Sequence, residues 1–81
     1  MRHITTDDFD DLFDVLPVPI QNKYKKQLEY LLTNFRHPSL QSKKYGGTNN
    51  VFQARVDKSY RFYFKVEKDY YLIFWIGQHP K

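Results

Sequence analysis

The sequence predicts an α+β fold: a short N-terminal strand and a two-helix hairpin packed on a twisted antiparallel sheet, in the order β-αα-βββ. Three observations predict it. Residues 51–56, 60–66 and 70–76 alternate with period two, and the breaks at 57–59 and 67–69 have hairpin length and turn composition. Residues 9–35 instead repeat apolar side chains at helical spacing, interrupted at Pro17. Finally, 81 residues that are 41% hydrophobic and 19% aromatic suffice for one small core, so residues 1–81 are read as a single domain.

Each element has a local reason. Residues 2–6 form a short edge strand with Ile4 facing in. Thr5 or Thr6 then offers an N-cap, and Asp7 and Asp8 sit where a helix dipole favours negative charge. Phe9, Leu12, Phe13 and Leu16 make the apolar stripe of the first helix, which Pro17 stops. Pro19 suits the first turn of a second helix. Its stripe is Ile20, Tyr24, Leu28, Leu31, Leu32 and Phe35, with Lys23, Lys25, Lys26 and Glu29 off it, and it runs to about Asn34. Residues 41–50 read as a loop holding Lys43, Lys44, Gly46-Gly47 and Asn49-Asn50, with a short extended piece near Lys44. Gly77 to Lys81 follow the last strand.

Strand side chains point alternately to opposite faces, which divides the sheet. Phe52, Ala54, Val56, Tyr60, Phe62, Phe64, Val66, Leu72, Phe74 and Ile76 are expected on the core side, under the helices. Gln53, Arg55, Arg61, Tyr63, Lys65, Tyr71, Ile73 and Trp75 are expected on the other. That second face mixes cations with aromatic rings, which a plain solvent surface does not require.

The net charge of +4 conceals a division. Residues 1–22 set one arginine against five aspartates, a balance of −4, while residues 23–81 set twelve Lys and Arg against four acids, a balance of +8. A basic body with an acidic head suits a polyanionic partner on one side, though two solvated faces of opposite sign account for it equally well. With no cysteine, disulfides, thiolate metal sites and a cysteine nucleophile are excluded, and a reducing cytoplasm fits. No apolar run has transmembrane length, and Met1-Arg2-His3 leads into a polar acidic segment rather than a signal-peptide core. No membrane association is expected.

Most isolated features have bland readings. Gly46-Gly47 lacks the spaced glycines of a phosphate-cradling loop and reads as a turn. His3, His37 and His79 are far apart with no acid at ligand spacing, so neither a metal nor another cofactor is expected. The aspartates of the first helix read as a solvated face. The open sheet face is more informative. Arg55 ends one strand and Arg61 begins the next, close across a hairpin, with Tyr63, Tyr71 and Trp75 on the same side by parity. Guanidinium groups make bidentate phosphate contacts and rings stack on unpaired bases, a pairing suited to single-stranded RNA. The same residues also fit mutual packing or coverage by another chain.

Taken together, several stretches resemble the RelE/ParE superfamily of bacterial type II toxin–antitoxin toxins. They are Phe9…Leu12…Leu16-Pro17 with the lysine-rich helix after it, Arg36-His37-Pro38-Ser39-Leu40, Lys43-Lys44…Gly47, Val51-Phe52-Gln53-Ala54-Arg55-Val56…Tyr60-Arg61-Phe62, and Ile76-Gly77-Gln78-His79. The likeness spans nearly the whole chain and lies in the order and spacing of the pieces. It implies a compact toxin and, in the branch of mRNA interferases, an endoribonuclease that cuts mRNA in the ribosomal A site and so inhibits translation.

Carried over by motif, the resemblance implies catalytic roles for His79, Arg55 and Arg61. Arg55 matches the sheet arginine facing the scissile phosphate, and Arg61 the arginine of the Tyr-Arg strand start. His79 falls where branches of the family place a catalytic histidine or arginine. Lys43 and Lys44 match basic residues before that strand, and Lys65, Tyr63, Tyr71 and Trp75 complete the expected RNA-binding set. The mechanism implied is attack of a ribose 2′-hydroxyl on the adjacent phosphate. Many nucleolytic members carry an aromatic residue beyond the histidine. None follows His79 in this sequence, so stacking falls to Tyr63, Tyr71 or Trp75. A cognate antitoxin in a hetero-oligomer, mRNA and the ribosome are the implied partners. Two alternatives stay open: a non-enzymatic ParE-like toxin that inhibits DNA gyrase, and an inactive basic interaction module of the same fold.

Overall fold

The computed structural model describes residues 1–47 and 50–79; Thr48 and Asn49 of the expected loop, and Pro80 and Lys81 after the last strand, lie outside the described residues. In chain order the elements are β1 (Arg2–Thr5), α1 (Asp7–Asp14), α2 (Val18–Thr33), a single 3₁₀ turn (Pro38–Leu40), β2 (Lys43–Lys44), β3 (Val51–Arg55), β4 (Tyr60–Val66) and β5 (Tyr70–Gln78). The five strands form one sheet in the order β1-β5-β4-β3-β2. The expected meander is β3-β4-β5.

Two features extend the expected layout. β1 runs parallel to β5, pairing Arg2 with Tyr70 and Ile4 with Leu72, so the sheet is mixed. A parallel neighbour needs a long connection, and the helical hairpin with the meander behind it supplies one. The extended piece near Lys44 is a true strand, pairing Lys43 with Gln53 and Lys44 with Phe52. Ile4, expected to face in, is 49% exposed, because β1 is an edge strand with a neighbour on one side only.

Both helices start and stop for local reasons. The Thr6 side chain accepts the Phe9 N–H at 3.1 Å and caps α1. The Gln21 carboxamide in α2 donates to the Phe13 carbonyl at 2.9 Å, joining the helices across the proline turn. Phe9, Phe13 and Tyr24 pack ring on ring, and Tyr24 meets Phe62 of β4 edge-on at 5.2 Å, which seats the hairpin on the sheet. Burial, with Asp10 adding, pushes the Tyr24 hydroxyl well above its usual pKa. No helix among the described residues is long and apolar enough to cross a membrane.

A β-bulge sets which side chains reach the core. Between β4 and β5, Tyr63 faces Trp75 while the next residue, Phe64, faces Ile73, so Phe74 is the extra residue. A bulge moves one strand out of phase with simple alternation. N-terminal to it, Tyr71 (6% exposed) and Ile73 (0%) point to the core, not to the open face as alternation predicts. Tyr71 lies among Phe35 and Phe64, and burial raises its hydroxyl pKa. Leu72 and Phe74, expected in the core, are only half-buried. Beyond the bulge, Ile76 faces the core as predicted. Ile73→Ala should therefore cost about 2–4 kcal/mol and Leu72→Ala less than about half as much, read by urea unfolding. Equal costs would contradict the bulge.

Candidate nucleic-acid interface

The open face is built from rows of side chains that the strand register fixes. Arg55 of β3 lies opposite Arg61 of β4, which lies opposite Gly77 of β5. In the next row Lys43, Gln53, Tyr63 and Trp75 follow one another across β2, β3, β4 and β5. The Tyr63 and Trp75 rings stack at 5.0 Å, and Tyr45, just past β2, reaches Tyr63 at 4.6 Å. The result is a band of three rings, of which sequence reasoning missed Tyr45. It is reached because β2 exists as a strand and turns Tyr45 over β3. A side chain at Gly77 would come within 2.9 Å of the Trp75 indole, so glycine there lets that ring lie along β5.

Like charges directly opposite each other on neighbouring strands repel. The Arg55–Arg61 pair is placed so, and neither guanidinium has a carboxylate partner among the described residues. Arg61 is held by its own turn, donating to the carbonyls of Asp57 and Tyr60. Arg55 has no hydrogen bond from its side chain among the described residues. The row is thus short of an anion, and a phosphate has the charge and the geometry to supply it.

His79 extends β5, its backbone N–H donating to the Ser59 carbonyl at 2.8 Å. Its exposed ring stands at the rim of the same face, where Nδ1 lies 3.5 Å from the carboxamide nitrogen of Gln53. The same nitrogen lies 3.4 Å from the Tyr63 hydroxyl. Gln53 is 5% exposed, so this buried amide is a bracket between the histidine and the aromatic band. The other ring nitrogen, Nε2, has no hydrogen bond among the described residues. Sequence parity put Gln53 on this face but gave no sign of that role.

The expected site residues divide. Arg55, Arg61, Tyr63, Trp75, Lys43 and His79 converge. Lys65 shares the face but lies opposite Leu72 and pairs with Glu67 at 3.7 Å, which offsets its charge. Two expectations are corrected. Tyr71 is a core residue, because the bulge reverses its side, and it cannot stack on a base. Lys44 pairs with Phe52, which puts it on the helix side of the sheet at the exposed edge. The remaining histidines stand apart: His37 stacks on Tyr30 at 3.8 Å and accepts the Ser39 N–H, and His3 lies on the β1 edge.

With this geometry in view, comparison with known proteins is informative about the fold. No family model matches the sequence, and no curated protein matches it either. Solved structures do match. A YoeB/ParE toxin from Agrobacterium tumefaciens superposes with a TM-score of 0.84 at 12% identity, over 99% of this chain and 100% of that one. The YoeB dimer from Staphylococcus aureus gives 0.84 at 10% identity, over 99% and 98%. The Escherichia coli RelBE toxin–antitoxin complex gives 0.79 at 16% identity, over 99% and 98%. The chain has the RelE/ParE toxin fold. At these identities the likeness is one of backbone, which leaves the chemistry to the residues of the open face.

The turn that holds Arg61 has its own titration. Partial burial opposes charge on the Asp57 carboxyl, but N–H donation from Ser59 and Tyr60, with Lys23 beside it, outweighs that and holds its pKa below 3.8. A lowered folded pKa contributes stability that is complete above the ordinary value and is lost as pH falls through the folded one. Asp57→Asn should therefore be less stable than wild type at about pH 6, with the gap closing towards about pH 2. A gap equal at both would contradict it.

Proposed function

We propose that this chain is the toxin of a type II toxin–antitoxin pair and that it cleaves mRNA, bound to the ribosome, in the cytoplasm. The observation that carries the proposal is one open sheet face on which the anion-deficient arginine row, a band of aromatic rings and an exposed histidine meet. The RelE/ParE fold and the toxin–antitoxin complexes that share it support the reading.

In this mechanism single-stranded RNA lies across β3, β4 and β5. Unpaired bases stack on Trp75, Tyr63 and Tyr45. The scissile phosphate sits at the Arg55–Arg61 row, where the guanidinium groups neutralise the charge that builds on its non-bridging oxygens. His79 moves a proton at Nε2, as the base for the 2′-hydroxyl or as the acid for the departing 5′ oxygen, with the other proton exchanging with solvent. The 2′ oxygen forms a bond to phosphorus as the bond to the 5′ oxygen breaks, leaving a 2′,3′-cyclic phosphate and a 5′-hydroxyl. Every step uses side chains of this chain and needs no cofactor. The partner antitoxin would silence the protein by covering the same face.

Mapping mRNA 5′ ends after brief induction in a bacterium tests the proposal. Wild type should produce new cuts in translated messages, and His79→Ala and Arg55→Ala should each lower them by about 10²-fold or more. Growth arrest with no new ends, accompanied by inhibited DNA supercoiling, would contradict it in favour of gyrase binding. Tyr71→Phe, a core change, should leave the cuts intact.

A further inference from the structure

We propose that the cavity beside the edge of β3 is a second phosphate subsite, which takes the phosphodiester next to the scissile one; the inference rests on the RNA-cleavage reading. The cavity exists because β2 is only two residues long. It pairs with Phe52 and Gln53 and leaves the edge of β3 from Ala54 onward without a strand neighbour. The buried side chain of Gln27 in α2 fills part of the gap, donating to the Arg55 carbonyl at 2.7 Å and the Ser39 carbonyl at 2.9 Å and accepting from the Ser39 hydroxyl at 2.8 Å. Between this bracket and the β3–β4 turn an opening of about 420 Å³ remains, lined by Lys23, Gln27, Ser39, Gln41, Arg55 and Lys58 together with Val56 and Asp57.

Its charge is one-sided. Lys23, Arg55 and Lys58 face a single carboxylate, Asp57, and that carboxylate is already engaged. One oxygen accepts the Ser59 and Tyr60 N–H groups, and the other lies 3.5 Å from the Lys23 ammonium. Lys58 has no partner among the described residues. Arg55 belongs both to this cavity and to the arginine row of the open face. A nucleic-acid strand whose scissile phosphate meets Arg55 from the open face can therefore continue round the β3 edge. Its neighbouring phosphate then reaches Lys23 and Lys58, with the Gln41 amide as a neutral donor. Phosphate is the fitting ligand because the cavity offers cations and an amide, with a single apolar residue, Val56, in its lining. A ribosomal RNA phosphate shares that chemistry, and substrate length separates the two sources.

The test uses two 2′-O-methyl RNAs that cannot be cleaved, one ending at the scissile phosphate and one extended by further nucleotides. Binding is read through quenching of Trp75, the only tryptophan. For wild type, extension should tighten binding about tenfold. Lys23→Gln/Lys58→Gln should lose that gain, bind the short RNA like wild type, and show a salt slope on the long RNA reduced by about one to two. Lys58→Gln alone, which leaves the Lys23–Asp57 pair in place, should lose part of the gain. Lys25→Gln/Lys26→Gln, an equal charge change on exposed positions of the same helix, should keep it. Equal weakening on both RNAs, or an equal effect of the Lys25/Lys26 pair, would overturn the subsite while leaving RNA binding in place. Absence of any binding by either RNA to wild type would overturn the cleavage reading, and the subsite with it.

Discussion

The bulge opposite Tyr63 and Phe64 is the constraint on which the arrangement of this molecule depends. β5 serves two ends that simple alternation cannot satisfy together. Its first half must send Tyr71 and Ile73 into the core, where Tyr71 lies against Phe35 and Phe64. Its second half must send Trp75 to the open face and Ile76 to the core, with Gly77 leaving room for the indole. One extra residue, Phe74, reconciles the two halves. Without it, either the core would lose its deepest β5 side chains or the aromatic band would turn inward. Bulges also increase local twist, which fits a sheet whose C-terminal end brings His79 back over β3 to Gln53.

The same geometry explains how a small domain keeps an uncompensated positive row. Placing Arg55 opposite Arg61 costs electrostatic free energy, and among the described residues neither guanidinium forms an ion pair that relieves it. Arg61 is tied down by backbone carbonyls of its own turn, with the Asp57 carboxylate directed to backbone N–H groups and Lys23 instead. The guanidinium is positioned without being neutralised. In the proposed function that row meets the RNA phosphate, and the core offsets the cost of holding it uncompensated. The fold is shared with RelE and YoeB toxins, while the chemistry rests on a few side chains at one end of the meander.

Much of this was legible in the sequence, and the misses have physical causes. The meander, the helical hairpin, the Thr6 cap and most of the core follow from periodicity and turn chemistry, which are local. Arg55, Arg61, Tyr63 and Trp75 were correctly placed because they lie where alternation is unbroken. Tyr71, Ile73, Leu72 and Phe74 were placed on the wrong sides because a bulge depends on the partner strand and leaves no local signature. Ile4 was expected inside because it is apolar, but its environment depends on how β1 docks, a long-range matter. Gln27 and Gln53 carry no sequence signal at all: a buried amide is recognised only from what it brackets. Lys44 was grouped with Lys43 because they are adjacent, and adjacency in a strand means opposite faces.

The central claim is that the open face cuts RNA through the ribose 2′-hydroxyl, and one substitution in the substrate tests it directly. A cleaved site is first located, and the message is then made with a single 2′-deoxy nucleotide on the 5′ side of that bond. Purified protein with translating ribosomes is offered both forms. The unmodified message should be cut to a 2′,3′-cyclic phosphate end, and the deoxy form should stay intact at that bond. Cleavage of both at similar rates would contradict the mechanism, since the attacking oxygen would then have to come from elsewhere.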